Sequence, residues 1–127
     1  AGCCGDDETK RTIGRVWQEH HYLCDTHTAV AWNVAQQYKA ANPGHAPVVV
    51  LSTASPYKFP AAVLEGLGEK AEGDEFAVME QLERLTGIPA PKNLRGLRER
   101  PVRHTTVLDR EEMLPFVLEK AQEKQWF

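Results

Sequence analysis

Ser52, Thr53 and Ser55 cluster directly behind the apolar run Val48-Val49-Val50-Leu51, with Pro56, Lys58 and Pro60 following. A hydroxyl is neutral, gives one proton and offers two lone pairs, so it can meet a ring nitrogen, a carbonyl or a phosphate oxygen. The apolar run reads as a buried strand that opens into a polar turn. In open α/β sheets the carboxyl ends of strands are where ligands bind. The stretch from Ser52 to Lys58 is therefore the first candidate for a small-molecule site. The ordinary role of Ser52 and Thr53 is to cap the turn itself. Lys58 would put a cation at a helix start, which opposes the helix dipole unless an anion is bound there.

Other reactive side chains are less organised. His20, His21, Cys24 and His27 crowd together, and a continuous helix would align His20, Cys24 and His27 for zinc. Asp25-Thr26 reads as a break in that helix, and no second ligand pair has metal spacing, so no metal site is expected. His27 reads instead as a packed or hydrogen-bonded residue at a helix start. Cys3 and Cys4 are adjacent and bridge poorly, and Cys24 has no neighbouring charge that would mark a nucleophile. No catalytic side chain is assigned. Arg95, Arg98, Arg100 and Arg103 form a basic cluster whose default reading is a solvated face; attraction to phosphate there is unspecific.

The 127 residues suffice for one domain with a modest core, and 42% hydrophobic with 26% charged residues is an ordinary globular balance. A net charge of −3 argues against a nucleic-acid surface. No apolar run approaches the length of a membrane span. The first ten residues do not read as a signal peptide, and three cysteines give no disulfide framework, so a cytoplasmic protein with reduced thiols is expected. Ala1-Gly2-Cys3-Cys4-Gly5 lacks an initiator methionine and reads like the inside of a protein, so a fragment is expected.

The elements that must position the hydroxyl turn follow from periodicity and punctuation. Asp6-Asp7-Glu8-Thr9 opens a helix that carries Ile13, Val16 and Trp17 and ends between His20 and Leu23. A second helix starts at Asp25 or Thr26, with Val30, Val34 and Tyr38 as its stripe, and Asn42-Pro43-Gly44 ends it. Residues 47–52 form a strand, apolar on both faces as in a parallel sheet. Phe59 to Leu67 is a helix with Pro60 in its first turn. Gly73-Asp74-Glu75 begins another, with Phe76, Met79, Leu82 and Leu85 facing a core or a domain contact and Gly87 as its cap. A short helix from Asn93 to Glu99 and a second strand from Val102 to Leu108 follow. Asp109 caps a last helix, Arg110 to Gln125, which must tolerate Pro115. The expected class is α/β, helix-rich with two short strands. Two strands make a poor sheet by themselves, which again points to a fragment.

Three stretches together resemble the C-terminal part of threonine synthase, in its bacterial and fungal branch. They are Asp6-Asp7-Glu8-Thr9, Asp25-Thr26-His27-Thr28-Ala29-Val30-Ala31, and Leu51-Ser52-Thr53-Ala54-Ser55-Pro56-Tyr57-Lys58-Phe59-Pro60. Leu85-Thr86-Gly87-Ile88-Pro89 and the tail from Pro101 to Met113 fit as well, so the resemblance covers nearly the whole chain. Where the family usually has Asp-Pro-His-Thr, this chain has Asp25-Thr26-His27-Thr28, which leaves the placement of His27 less fixed.

The resemblance implies the C-terminal segment, residues 1–127, of the large domain of a fold-type II pyridoxal-phosphate lyase. That enzyme converts O-phosphohomoserine and water to threonine and phosphate. It implies that the Schiff-base lysine and the glycine-rich phosphate loop lie upstream, so the segment is inactive without the N-terminal part of the same protein. It further implies a hydroxyl at the pyridine nitrogen, Thr53 first and Ser52 second, and places Lys58 near a substrate or cofactor phosphate. Exposed apolar surface and self-association of the fragment follow from the same reading. Two rivals stand beside it: a small α/β interaction or ligand-binding module without catalysis, and a self-contained pyridoxal-phosphate or phosphate-ester binder.

Overall fold

The computed structural model describes residues 1–44 and 46–123. Helix α1 (Asp6–His20) has no side-chain cap, but Asp6, Asp7 and Glu8 fill its first turn, where negative charge suits the dipole. It stops at His21, whose φ of 51° lets its N–H reach back to the carbonyl of Trp17. That left-handed turn sends Leu23, Cys24 and Asp25 into the interior. Helix α2 (Thr26–Ala41) is capped by Asp25, which accepts from the N–H groups of His27 and Thr28. Of the two candidate caps, Asp25 is therefore the one used, and Thr26 is the first helical residue.

Ser55 caps a short 3-10 turn (Pro56–Lys58), and helix α3 (Pro60–Gly66) follows with its proline at the tolerated first position. Helix α4 (Glu75–Thr86) is bounded by Asp74, which accepts from the Ala77 N–H, and by Gly87 at φ 69°. Helix α5 is a single turn (Lys92–Arg95), shorter than the expected Asn93 to Glu99. A 3-10 turn (Arg110–Glu112) leads into helix α6 (Met113–Glu123), with Glu112 accepting from the Asp109 N–H at 2.9 Å. Pro115 falls in the first turn of α6, where its missing N–H costs least. The expected end of this helix, Gln125, lies outside the described residues.

Helix α1 packs on both α2 and α3, and α3 packs in turn on α4. Ile13, Val63, Leu64 and Leu82 are fully buried at that junction, with Val16, Tyr57 and Val78 beside them. Between α1 and α2 part of the contact is polar. The Asn33 amide donates to Glu8 at 3.1 Å and to Thr12 at 3.2 Å, while Gln37 donates to the Asn33 carbonyl at 2.5 Å. The stripe expected to seat α2 is turned elsewhere: Tyr38 is exposed, and Val34 and Tyr38 border a hollow shared with Val48 and Leu51.

The α/β expectation fails, because the described residues contain no strand and the fold is helical. Both expected strands, residues 47–52 and Val102 to Leu108, lack regular structure. A strand exists only through its ladder, and no backbone hydrogen bond joins residues 46–54 to another described segment. The run is not buried either: Val49 is 80% exposed and Leu51 73%, against 43% for Val48. Val48, Val50 and Ser52 border α2 and its approach, so one side of the run lies on a helix while the other is bare. Val102 and Val107 are exposed to a similar degree. Neither run finds a ladder partner among the described residues, and neither is buried on two faces as expected.

Candidate functional site

The hydroxyl turn is held from two sides. At its far end Tyr57 is buried and its phenol donates to the carbonyl of Ile88, while the Tyr57 N–H donates to Ser55 Oγ at 3.3 Å. At its near end Ser52 Oγ lies 3.0 Å from the Tyr22 hydroxyl and 3.3 Å from Thr28 Oγ1. Thr28 in turn donates to Asp25 Oδ2. Asp25 is fully buried, and its other oxygen accepts from the His27 N–H at 2.9 Å and the Thr28 N–H at 3.2 Å. The His27 ring nitrogen Nδ1 also lies 3.2 Å from that oxygen. The cap of α2 and the turn after Leu51 are thus one connected polar cluster.

The sequence-predicted residues divide. Ser52 is exposed and is engaged in the cluster. Thr53, its neighbour, is exposed and has no hydrogen-bond partner among the described residues. Lys58 is exposed at the end of the 3-10 turn, and its ammonium has no partner among the described residues. No observation joins Lys58 to the two hydroxyls. Beyond it Phe59 is half-exposed and stands 5.6 Å from the His27 ring, at the edge of a surface hollow of about 480 Å³ that also takes in Thr9, Lys10 and Thr26. His27 therefore sits at a helix start, held by Asp25 and by an aromatic ring. His20 packs edge-on against Trp32 instead, and no three His, Cys, Asp or Glu among the described residues are grouped to hold a metal.

Sequence reasoning missed Tyr22 and the part Thr28 plays. Asp25-x-x-Thr28 has the spacing of a cap and its third helical residue, which was the available signal. Nothing local marked Tyr22 as a partner for a residue thirty positions on. The four arginines of the basic cluster are exposed, in keeping with a solvated face, and two of them make surface ion pairs: Arg98 pairs with Asp74 at 2.9 Å and lies over the Phe76 ring, and Arg95 lies 3.3 Å from Glu83. Those two arginines fasten α5 and the turns after it onto α4. Arg100 and Arg103 border a separate shallow hollow with Leu97 and Pro101.

Cys24, next to the cap, is raised to about 11 by burial and then by the Asp25 carboxylate. The sign of the linkage is fixed: the folded state holds this proton more tightly than the unfolded chain, whose thiol has an ordinary value of 9.0. That stabilising contribution is complete below about pH 9 and fades as pH rises toward 11. Thermal melting midpoints should fall over this window, and Cys24→Ala should flatten the alkaline part of the profile. An identical decline in both proteins would remove Cys24 as its source.

No described helix is long and apolar enough to cross a membrane. The family described as threonine synthase, C-terminal, matches residues 28–117 of the chain. The match takes in the hydroxyl turn and Thr28 and begins after the acidic start of α1. Threonine synthase-like 2 of Pongo abelii is 41% identical over 59 residues, covering 46% of this chain and 12% of that protein. Threonine synthase-like 2 of Homo sapiens gives the same identity over the same lengths. The aligned stretch is thus about an eighth of these curated relatives.

Proposed function

Because this chain belongs to the threonine synthase C-terminal family, we propose that it is the C-terminal part of an enzyme converting O-phosphohomoserine and water to threonine and phosphate with pyridoxal phosphate. The observation that carries this reading is the outward hydroxyl of Thr53 within the matched range, on a turn anchored at both ends. Pyridoxal phosphate, when bound, supplies an electron sink for the carbanion chemistry.

The residues present fit that group. Asp25 is the carboxylate that reaches this turn, and it is buried with both oxygens engaged by α2. The turn consequently shows a neutral hydroxyl outward, and a neutral partner leaves a pyridine nitrogen largely unprotonated, whereas a carboxylate would hold a proton on it. In this reading Thr53 meets the ring, Ser52 supports it, and Lys58 attracts a phosphate as a surface cation with no partner among the described residues. The upstream part of the polypeptide supplies the cofactor-bearing lysine and covers the bare side of Val49 and Leu51, Val102, Val107 and the apolar residues of α6. Without it the segment is inactive. The reading also places the protein in the cytoplasm, where reduced thiols such as Cys3, Cys4 and Cys24 persist.

The test uses the full-length polypeptide with pyridoxal phosphate. Losing one hydrogen bond to the ring costs about 1–1.5 kcal/mol. Thr53→Val should therefore weaken cofactor retention roughly tenfold and shift the visible absorption band, with phosphate release from O-phosphohomoserine falling alongside. Ser52→Ala should stay within about threefold. Unchanged retention and spectrum in Thr53→Val would end the assignment of this turn to the cofactor ring.

A further inference from the structure

The buried carboxylate of Asp25 faces two ways. On one side Oδ2 accepts from Thr28, which borders the hydroxyl turn. On the other, Oδ1 lies 3.2 Å from the His27 ring nitrogen Nδ1. The N–H groups of His27 and Thr28 and the Thr28 hydroxyl all donate to Asp25, so it acts as an acceptor-only carboxylate. At the 3.2 Å contact the proton therefore sits on Nδ1. Thr26 Oγ1 stands 3.5 Å from the same nitrogen. A neutral ring with its proton there has a bare acceptor at Nε2. No described residue bonds to His27 Nε2. The Asp25 side chain is 0% exposed and that of His27 61%, so a fixed inner group holds an accessible outer one.

His27 borders the hollow of about 480 Å³ beside Phe59, a size that suits a small ligand. The other ionisable side chains on this hollow are Asp6 and Lys10 of α1 and Cys4 just before it. Lys10 is paired with Glu65 at 2.6 Å. Of these groups, His27 is the one whose inner nitrogen is fixed by a buried charge and whose outer nitrogen has no partner. A buried carboxylate behind an imidazole sets its tautomer and orientation for proton transfer at the far nitrogen. We propose that His27 is the catalytic residue of this chain, moving a proton at Nε2, with Asp25 as its positioning residue.

The inference rests on the reading of the chain as part of an enzyme that forms threonine and phosphate from O-phosphohomoserine and water. In that reaction Nε2 takes one proton from the water whose oxygen becomes the threonine hydroxyl, and passes it to the phosphate released. The electron pair of the water O–H bond forms the new C–O bond, and the pair of the old C–O bond leaves with the phosphate. The substrate loses one hydrogen beside the new hydroxyl and gains one where the phosphate departed, so atoms and charge balance. Through both forms of the ring, Nδ1–H stays on Asp25, and His27 returns to its starting state.

Chemical rescue in the full-length polypeptide with pyridoxal phosphate is the discriminating experiment. His27→Ala keeps the backbone N–H that Asp25 caps, and alanine suits a helix, so α2 survives. The variant should lower kcat for phosphate release about a hundredfold. Its retention of pyridoxal phosphate and its visible band should stay as in the wild type, unlike those of Thr53→Val. Free imidazole, for which the lost ring leaves room, should restore about tenfold of the rate, and more basic imidazoles should restore more. A packing role for His27 is not repaired by a soluble base, so a loss that no imidazole restores overturns the proposal. An active wild type whose rate survives His27→Ala overturns it alone. A wild type inactive on O-phosphohomoserine overturns it together with the reading it rests on. Nitrogen-15 NMR of the His27 ring should show the neutral form with its proton on Nδ1. A proton on Nε2 instead would overturn the proposal, a result available even if His27→Ala fails to fold.

Discussion

Gly14→Val is expected to destabilise the chain by about 3 kcal/mol. Helix α1 crosses α3 with the backbone of one laid almost directly on the other. A Cβ built on Gly14 would collide with the carbonyl oxygen of Gly66, and one on Gly66 would come within 2.8 Å of the Lys10 carbonyl and 3.0 Å of Ile13 Cβ. The obstacles at Gly14 are main-chain atoms, which cannot rotate away as a side chain can. The two helices would have to separate, and Ile13, Val63 and Leu64, all fully buried at this junction, would lose their packing. A valine in mid-helix improves on glycine by only a few tenths of a kcal/mol in propensity, too little to offset this. The Lys10–Glu65 pair spans the same crossing at 2.6 Å, but both side chains are more than a third exposed, so Lys10→Met should leave the urea midpoint nearly unchanged. Gly96→Ala is the control, since its Cβ would find only an ordinary contact at 3.6 Å. Urea unfolding followed by circular dichroism measures all three. An unchanged midpoint for Gly14→Val would mean that α1 and α3 do not cross there.

The helices were legible because their signals are local. Asp25 and Asp74 cap, Gly87 terminates, and Pro60 begins, each through hydrogen bonds or sterics within a few residues. Residues 47–52 were misread for the complementary reason. Four apolar residues in a row specify a wish for burial on two faces, but burial as a strand needs other chains of backbone alongside. The same holds for Val102 to Leu108. An apolar run alone does not make a strand without a ladder partner. At the site, the cap that Ser55 provides follows from its residue type, as Ser and Thr commonly cap such turns. What residue types could not separate was Ser52 from Thr53. The separation comes from Tyr22 and Thr28, which reach Ser52 across 30 and 24 residues of chain. His21 likewise gave no advance notice of its left-handed φ, a conformation that only a small minority of non-glycine residues adopt.

The stripe on α4 is unevenly buried, and that unevenness predicts an experiment. Phe76, Met79, Leu82 and Leu85 repeat every three residues, but a helix turns about 100° per residue, so each step of three falls roughly 60° short of a full turn. Over three such steps the pattern walks about 180° around the helix, and Leu85 ends opposite Phe76. The buried face is instead Val78, Met79 and Leu82, which lie within about 100° of one another. Leu82 is fully buried and Leu85 is 45% exposed. Leu82→Ala should therefore cost about 3–5 kcal/mol, as buried leucine truncations do when rigid helices prevent collapse of the cavity. Leu85→Ala should cost under about 1 kcal/mol in the isolated chain. The two variants remove the same atoms from one helix, so their difference in urea midpoint isolates burial from helix propensity. Comparable losses would mean that α4 buries Leu85 as deeply as Leu82.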